Sequence, residues 1–591
     1  MSAPSPDQLA TSPAEFAIMA NGTPLDSSYQ VMSIETWAGI NKLPRARLVI
    51  SDGSAAEETF PISEASSLIP GVALEISIGY GASLTKVFSG VIYRQGLEVT
   101  RDGPSRLVVE ATDKAMAMTL ARQNAIFENV TDSAVIEKLI SAAGLSAKVT
   151  STSTQHERIV QYYASAWDMM VLRAQVNGMM VVAAGGTVTV APPDTGSAPV
   201  LTLTYGQSIL DFHADMDAAT QFASSAFKSF AWDPATQALA TSGGASSDVS
   251  TPGNISSSKL ADVFDVSNYW QQTGGEMQAA ELTDWSSAAL LRSQLSKIRG
   301  QLRFQGSALV TPGTTVTLAG LGDRFNGNGF VSGVHHKLAD GLWKTTVDIG
   351  LSAEWFAATA PNIPAPGASG QLPPINNLQT GIVKQIDQDP DGEYRVLVTL
   401  PLLQAANDTG VWARFGSFYA SNGIGANFYP EIGDELVLSF LNGDPRYPVV
   451  LGSLYSKAKP PPYPPESGGE GAPNNIKSIM TKSKLHIDFI EDAPELLITT
   501  PANQSVSLND KSKAITITDA NGNSVTMNES GITLKSASDI TLSASGSIKM
   551  SAEADVSISA SASLSASASA SASLSSDGEF QIKGAMVAIN P

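Results

Sequence analysis

Residues 531–591 constrain this fold more than any other stretch, because their apolar side chains recur every eight positions. Ile532, Ile540, Ile548, Val556, Leu564, Ala572, Phe580 and Ala588 occupy one phase. Leu534, Leu542, Met550, Ile558, Ala566, Leu574 and Ile582 occupy a second, two residues further on. The neighbours of these pairs, such as Thr533, Thr541, Lys549 and Ser557, are polar. The phase of Ser538, Gly546, Ala554, Ala562, Ala570 and Gly578 holds only small residues. Alternation at period two sends both apolar side chains to one face of a strand. Each octad therefore reads as a short strand followed by a compact corner. Composition alone would make this Ser/Ala tract a linker, but the fixed period marks a repeating architecture.

One such ladder cannot bury its own apolar face, so it needs neighbours. Either a single chain coils into a solenoid or several identical chains wind together. Eight residues make one side of a prism rather than a full turn, which favours three chains around one axis, each octad rising by about 4.8 Å. The expected core of this needle is Ile532, Leu534, Ile540, Leu542, Ile548, Met550, Val556, Ile558, Leu564, Leu574, Phe580 and Ile582.

A chain of 591 residues should hold several domains. Its formal charge of −20 argues against nucleic acid as a partner. The absence of cysteine excludes disulfides, thiolate metal sites and cysteine catalysis. No basic start followed by an apolar run marks a secretory signal, and no apolar stretch is long enough to span a bilayer. The expectation is a protein made and assembled in the cytoplasm.

Gly and Pro divide residues 14–360 into many short strand-like runs with a few helices. Arg47-Leu48-Val49-Ile50 ends at a Ser51-Asp52-Gly53 turn, and Pro70-Gly71 opens a strand in which Leu74, Ile76 and Ile78 alternate with polar or small residues. Asp132 is the expected N-cap of a helix carrying Val135, Ile136, Leu139 and Ile140 and stopping at Gly144. Ser165 to Asp168 has capping-box spacing for a second helix ending at Gly178. A third helix is expected over residues 287–299, and a long mobile loop over 241–258.

Past a Pro-rich linker, five short strands fall within residues 381–455 and suit a small barrel of the oligonucleotide/oligosaccharide-binding (OB) type. A second Pro/Gly linker precedes the strands leading into the octads.

The motifs resemble those of VgrG-type spike proteins of contractile injection systems, which look like a phage tail hub fused to a central spike. The hub part is carried by Pro70-Gly71, Gly79-Tyr80, Phe88-Ser89-Gly90 and the run from Tyr162 to Gly178. There the family has an aspartate-Trp-Asp helix and an Ala-Glu-x-Asn-Gly end; this chain departs from it at Ala166 and Gln175. The barrel signature is closer: Pro430-Glu431-Ile432-Gly433-Asp434-Glu435-Leu436, with the partner motif Gly443-Asp444-Pro445. The site residues carried by the resemblance are thus Pro430, Gly433, Asp434, Glu435, Gly443, Asp444 and Pro445. Residues 40–52 and the compact hub resemble spikes of extracellular phage-tail-like particles somewhat more than those of type VI secretion, and both kinds of system stay open here.

The resemblance implies a mainly β chain with a few helices. It would comprise phage-hub-like β-barrel domains, an OB-fold barrel and an intertwined triple-stranded β-helix. The expected boundaries are a hub over 1–360, linkers over 361–378 and 456–475, a barrel over 379–455 and a needle over 476–591. The implied function is a homotrimeric hub-and-spike that nucleates the inner tube and baseplate and punctures a target membrane, as part of a particle that acts outside the cell. The implied partners are its own copies, the inner tube protein, baseplate components, effector cargo, transiently the target membrane, and a PAAR-type tip protein docked on Ile589, Asn590 and Pro591. The chain is expected to end at the needle, without an appended effector domain.

No catalytic constellation is expected. Asp434 and Glu435 are neighbours whose side chains should diverge, as should His335 and His336, for which no third ligand is evident. No histidine follows His486, so the needle lacks a His-x-His iron pair, and residues 456–475 are too few for a lysozyme domain. No cofactor is called for. Two other readings stay open at this point: a trimeric adhesin or tail fibre with a β-helical stalk, and a β-solenoid glycan-cleaving enzyme.

Overall fold

The computed structural model describes residues 3–10, 12–101, 103–361, 363–364, 366–402, 409–465 and 473–589. It divides into two compact units, Met1–Leu378 with Phe440–Pro448, and Gln379–Ser439 with Val449–Pro591. Both are built mainly of strands.

In the first unit the strands Ala14–Ala20, Ala73–Tyr80, Ser83–Glu98, Arg106–Thr112, Lys42–Ser51 and Val31–Gly39 pair antiparallel in that order. Gly327–Ala339, Leu342–Ile349, Ile298–Gln305 and Ile209–Met216 then extend the same sheet. Alternation decides what is buried: Leu48, Ile50, Leu74, Ile76, Ile78, Leu107 and Val109 fill one core together with Trp343. Leu201, Leu203, Leu302, Phe304, Val316 and Val347 fill a second. Two motif glycines have steric reasons. Gly71 sits at φ +99° in its turn, and a Cβ on Gly90 would stand 2.2 Å from the Thr112 carbonyl oxygen.

Helices Asp132–Ala142 and Ala166–Val176 pack through Val135, Ile136, Ile140, Trp167, Met170 and Val171. Ser165 caps the second, its hydroxyl accepting from Asp168 N at 3.0 Å. The first differs from expectation. Thr131 is its cap, accepting from Ala134 N, while Asp132 lies inside the first turn, where burial gives its carboxylate another use. The third helix is Ala279–Leu295, beginning earlier than residue 287, and Ile298 already belongs to a strand. Its N-cap Gln278 makes no side-chain capping bond, so no residue announces the start. The expected mobile loop is instead tied down. Ser250 N donates to Thr195 Oγ1, Gly253 N to Asn326 O and Asn254 N to Asp323 O, and Val249 packs against the cluster of Ile40 and Phe330.

In the second unit Gln379–Gln385, Val396–Thr399, Val411–Phe415, Pro448–Ser453 and Glu435–Phe440 close a five-stranded barrel. Val383, Val396, Val398, Ala413, Leu436, Leu438 and Val450 fill it. Beyond it, Ile476–Met480, His486–Ile490, Glu495–Thr499, Ser505–Asn509, Ala514–Thr518, Ser524–Asn528 and Gly531–Lys535 form a seven-stranded antiparallel meander. Among the described residues no helix is long and apolar enough to cross a membrane.

Candidate functional site

The meander carries two apolar columns, one running through all seven strands and the other through the last six. Cross-strand pairing sets Ile479 opposite Ile487, then Ile498, Val506, Ile517, Val525 and Leu534 in succession. Two residues away in each of those six, Phe489, Leu496, Leu508, Ile515, Met527 and Ile532 form the second column. The first octad pair, Ile532 and Leu534, is thus the last rung of a ladder that begins at Ile479. The hollow on this face, about 490 Å³, is lined by Ile498, Val506, Ile517, Val525, Leu534 and Ile540 with flanking polar residues.

From residue 536 the backbone bends with the period of the sequence. Bends fall at residues 537–538, 545–546, 553–554, 561–562, 569–570 and 577–578, each pair including one member of the small-residue phase. From Ser538 to Gly578 this phase holds only Ser, Ala and Gly, and its partners in the bends include the exposed Glu553 and Asp577. All charged residues of the tract (Lys535, Asp539, Lys549, Glu553, Asp555, Asp577, Glu579 and Lys583) are odd-numbered, and every apolar pair is even-numbered. Among the described residues no strand pairing follows Lys535. Every expected needle-core residue is solvent-exposed in the single chain, from Phe580 at 54% to Leu574 at 83%.

The barrel signature consists of turn-formers. Gly433 takes φ +85° and its N–H donates to Val383 O at 2.8 Å. Asp434 closes the same turn by accepting from Glu431 N at 2.9 Å, and Lys459 Nζ reaches its Oδ1 at 2.9 Å. Glu435 opens the strand, paired with Ile382, and Pro430 is buried just before it. Gly443, at φ +68°, and the half-buried Pro445 flank Asp444. Asp444 accepts from Arg446 Nη2 at 2.6 Å and from Arg446 N at 2.9 Å, and the Arg446 contact holds its carboxyl below the usual range. Asp434 and Glu435 therefore serve backbone geometry, and the arrangement offers no shared acid/base pair.

In the first unit the Tyr162–Gly178 motif has a purpose that lies off the local sequence. Asp132, 1% exposed, accepts from Arg173 Nε at 2.5 Å and Nη2 at 2.9 Å, from Asn177 Nδ2 at 2.8 Å, and lies 3.2 Å from His156 Nε2. Arg173 Nη2 also donates to Glu281 Oε1 at 3.0 Å. Burial pushes the Asp132 carboxyl up, but the Arg173 hydrogen bonds and charge, with Asn177 and His156, hold it below the usual carboxylate range. Burial raises the nearby Asp284. The cluster ties two neighbouring helices, the helix Ala279–Leu295 and the strand of His156 into one body.

Residues 10–340, more than half of the chain, match the family model of the Alg8 N-terminal domain. Residues 379–455 match the type VI secretion system/phage-baseplate injector OB domain, and residues 495–590 the phage baseplate V C-terminal trimerisation domain. The chain belongs to the VgrG-type spike proteins, with an Alg8 N-terminal domain. The type VI secretion system spike protein VgrG1b of Pseudomonas aeruginosa is 25% identical over 257 residues, 41% of this chain and 33% of its own length. VgrG4b of the same organism is 40% identical over 60 residues, 10% of this chain and 7% of its own. The matched stretch thus covers a third or less of either relative. A type VI secretion component of E. coli, described as structurally similar to the T4 tail proteins gp27 and gp5, aligns at TM-score 0.36 and 15% identity. That alignment covers 74% of this chain and 99% of its own.

In this VgrG-type chain the two adjacent histidines part company. His335 stacks on Trp37 and meets Glu35 Oε2 at 3.1 Å, while His336 is buried against Thr345 Oγ1 at 2.9 Å. Among the described residues no group of three or more His, Cys, Asp or Glu is placed to hold a metal ion. Of the proposed tip residues, Ile589 is exposed, and Asn590 and Pro591 lie outside the described residues. The meander rungs between Ile479 and Met527 were not singled out from sequence as ladder core. Their signal is the apolar pair two residues apart in every strand after the first, obscured because the turns between those strands vary in length.

Proposed function

We propose that three copies of this chain join as a hub-and-spike whose ladders supply one another's missing strand partners. The carrying observation is the two-column apolar face from Ile479 to Leu534, half-buried or exposed in the single chain, whose apolar spacing recurs past Lys535 to Ile582 with bends of constant period. An apolar surface of that length is an interface awaiting its partner, and in three interwound chains every strand edge is paired, which suppresses edge-to-edge aggregation. The trimerisation-domain match over residues 495–590 supports the same reading.

In this reading residues 1–360 are the hub that receives the inner tube and baseplate components, and 379–455 the barrel. Residues 361–378 and 456–475 are the connecting linkers. Residues 476–591 are the needle, which concentrates the force of contraction on a small area of target membrane. Ile532 and Leu534, and the apolar residues that repeat their two phases to Ile582, form the needle core, and Ile589, Asn590 and Pro591 seat a PAAR-type tip protein that can carry effector cargo. The role is mechanical rather than catalytic. The chain is assembled in the cytoplasm and acts outside the cell as part of a contractile particle.

Native mass measurement of the full chain tests the stoichiometry; a trimer is expected, and a monomer refutes the reading. Imaging of particles from the native host with and without the chain tests the role. Intact, sheathed and contractile particles formed in its absence would remove it.

A further inference from the structure

Between the third and fourth barrel strands in sequence, residues 416–434 form a two-stranded hairpin, Ala420–Ser421 paired with Ile424–Gly425. The hairpin is braced. Ser417 Oγ donates to Ala426 O at 2.9 Å, and Ala426 N donates to Tyr419 O at 2.8 Å. Its root is fixed by the stacked rings of Phe415 and Tyr429, 5.3 Å apart, and by the Tyr429 hydroxyl donating to Tyr394 O at 3.0 Å. On this scaffold Phe418 is 89% exposed, Ile424 62%, and Tyr419 and Phe428 55% each.

Large apolar side chains held in the open on a braced hairpin form a docking surface. Two observations select its occupant. Residues 415–430 carry no charge at all, in a chain of formal charge −20. Copies of so acidic a chain repel one another, so their contacts concentrate where charge is absent. The return arm of the hairpin also leads directly to Glu431, whose carboxylate pairs with Lys482 Nζ at 2.7 Å. Lys482 lies in the turn between the first two meander strands, where the exposed columns begin at Ile479 and Phe489. The finger is therefore continuous with the surface through which the copies are proposed to meet.

We infer that this finger docks on the barrel of a neighbouring copy, so that the copies are joined through their barrels as well as their ladders. The inference rests on the trimer reading above. Because the chain has no cysteine, Phe418→Cys or Ile424→Cys can carry a single benzophenone maleimide, with Glu57→Cys on the exposed hub surface as control. Both finger positions are exposed, so the full chain should fold with either substitution. Irradiation of the purified protein should give covalent dimers and trimers from the finger positions and few from the control. A native trimer whose finger positions give only monomer bands overturns the finger but leaves the trimer standing. A native monomer overturns both.

Discussion

Leu534 lies directly opposite Val525, so the first octad is hydrogen-bonded to the strand before it and inherits that strand's register. Since side chains alternate at period two, this pairing places Ile532 and Leu534 on the same face as Ile479 and Ile487.

Charge placed on that face should undo the needle and spare the hub. Ile548→Asp with Ile558→Asp leaves an ionised carboxylate in an apolar column, at a cost of several kcal/mol for each unpaired buried charge. The expected result is loss of protease and detergent resistance in the C-terminal fragment with unchanged hub unfolding. Full resistance in the double variant would contradict the proposed core.

The needle should open first between residues 560 and 573. There Ala566 and Ala572 each replace one of the two bulky residues of their octad. Each missing Leu or Ile forgoes about 1.5–3 kcal/mol of burial. Hydrogen exchange along the ladder should show its internal minimum of protection in this stretch, and uniform protection from residue 540 to 582 would rule the argument out.

Arg173→Ala should destabilise the hub by about 3–5 kcal/mol, because it strands the buried Asp132 carboxylate without its charge partner. Asp132→Asn in the same chain should restore part of the loss. Urea unfolding of the hub transition gives both values; a single-variant change under about 1 kcal/mol would show that the ion pair contributes little.

The hub should lose stability on acidification below neutrality. Burial, assisted by the neighbouring His335, pushes His336 down to about 3, whereas an unfolded histidine titrates near 6.5. Between those values the unfolded chain binds more protons, so stability falls as pH drops from about 6.5 toward 3. Asp132, held low in the fold, adds to the loss only below the ordinary carboxylate range of about 4. His336→Gln, which can keep a hydrogen bond to Thr345, should flatten the hub melting temperature between pH 6.5 and 4.5. An unaltered slope would assign the acid sensitivity elsewhere.

Local patterns were enough to read the five barrel strands and the Ser165 cap, because alternation, turn residues and caps act within a few positions of one another. The bends at residues 537–538 and onward fall with the same eight-residue period as the small residues Ser538 to Gly578. The start of the helix Ala279–Leu295 escaped because Gln278 gives no capping signal, and the tethering of residues 241–258 because its partners Thr195, Asp323 and Asn326 are distant in sequence. Tertiary structure alone decided that Asp132, His156, Arg173 and Glu281 share one buried site, and that Ile479 and Leu534 belong to one column. Those relations are set by strand register and by which faces pack together, and chain separation hides both from any local pattern.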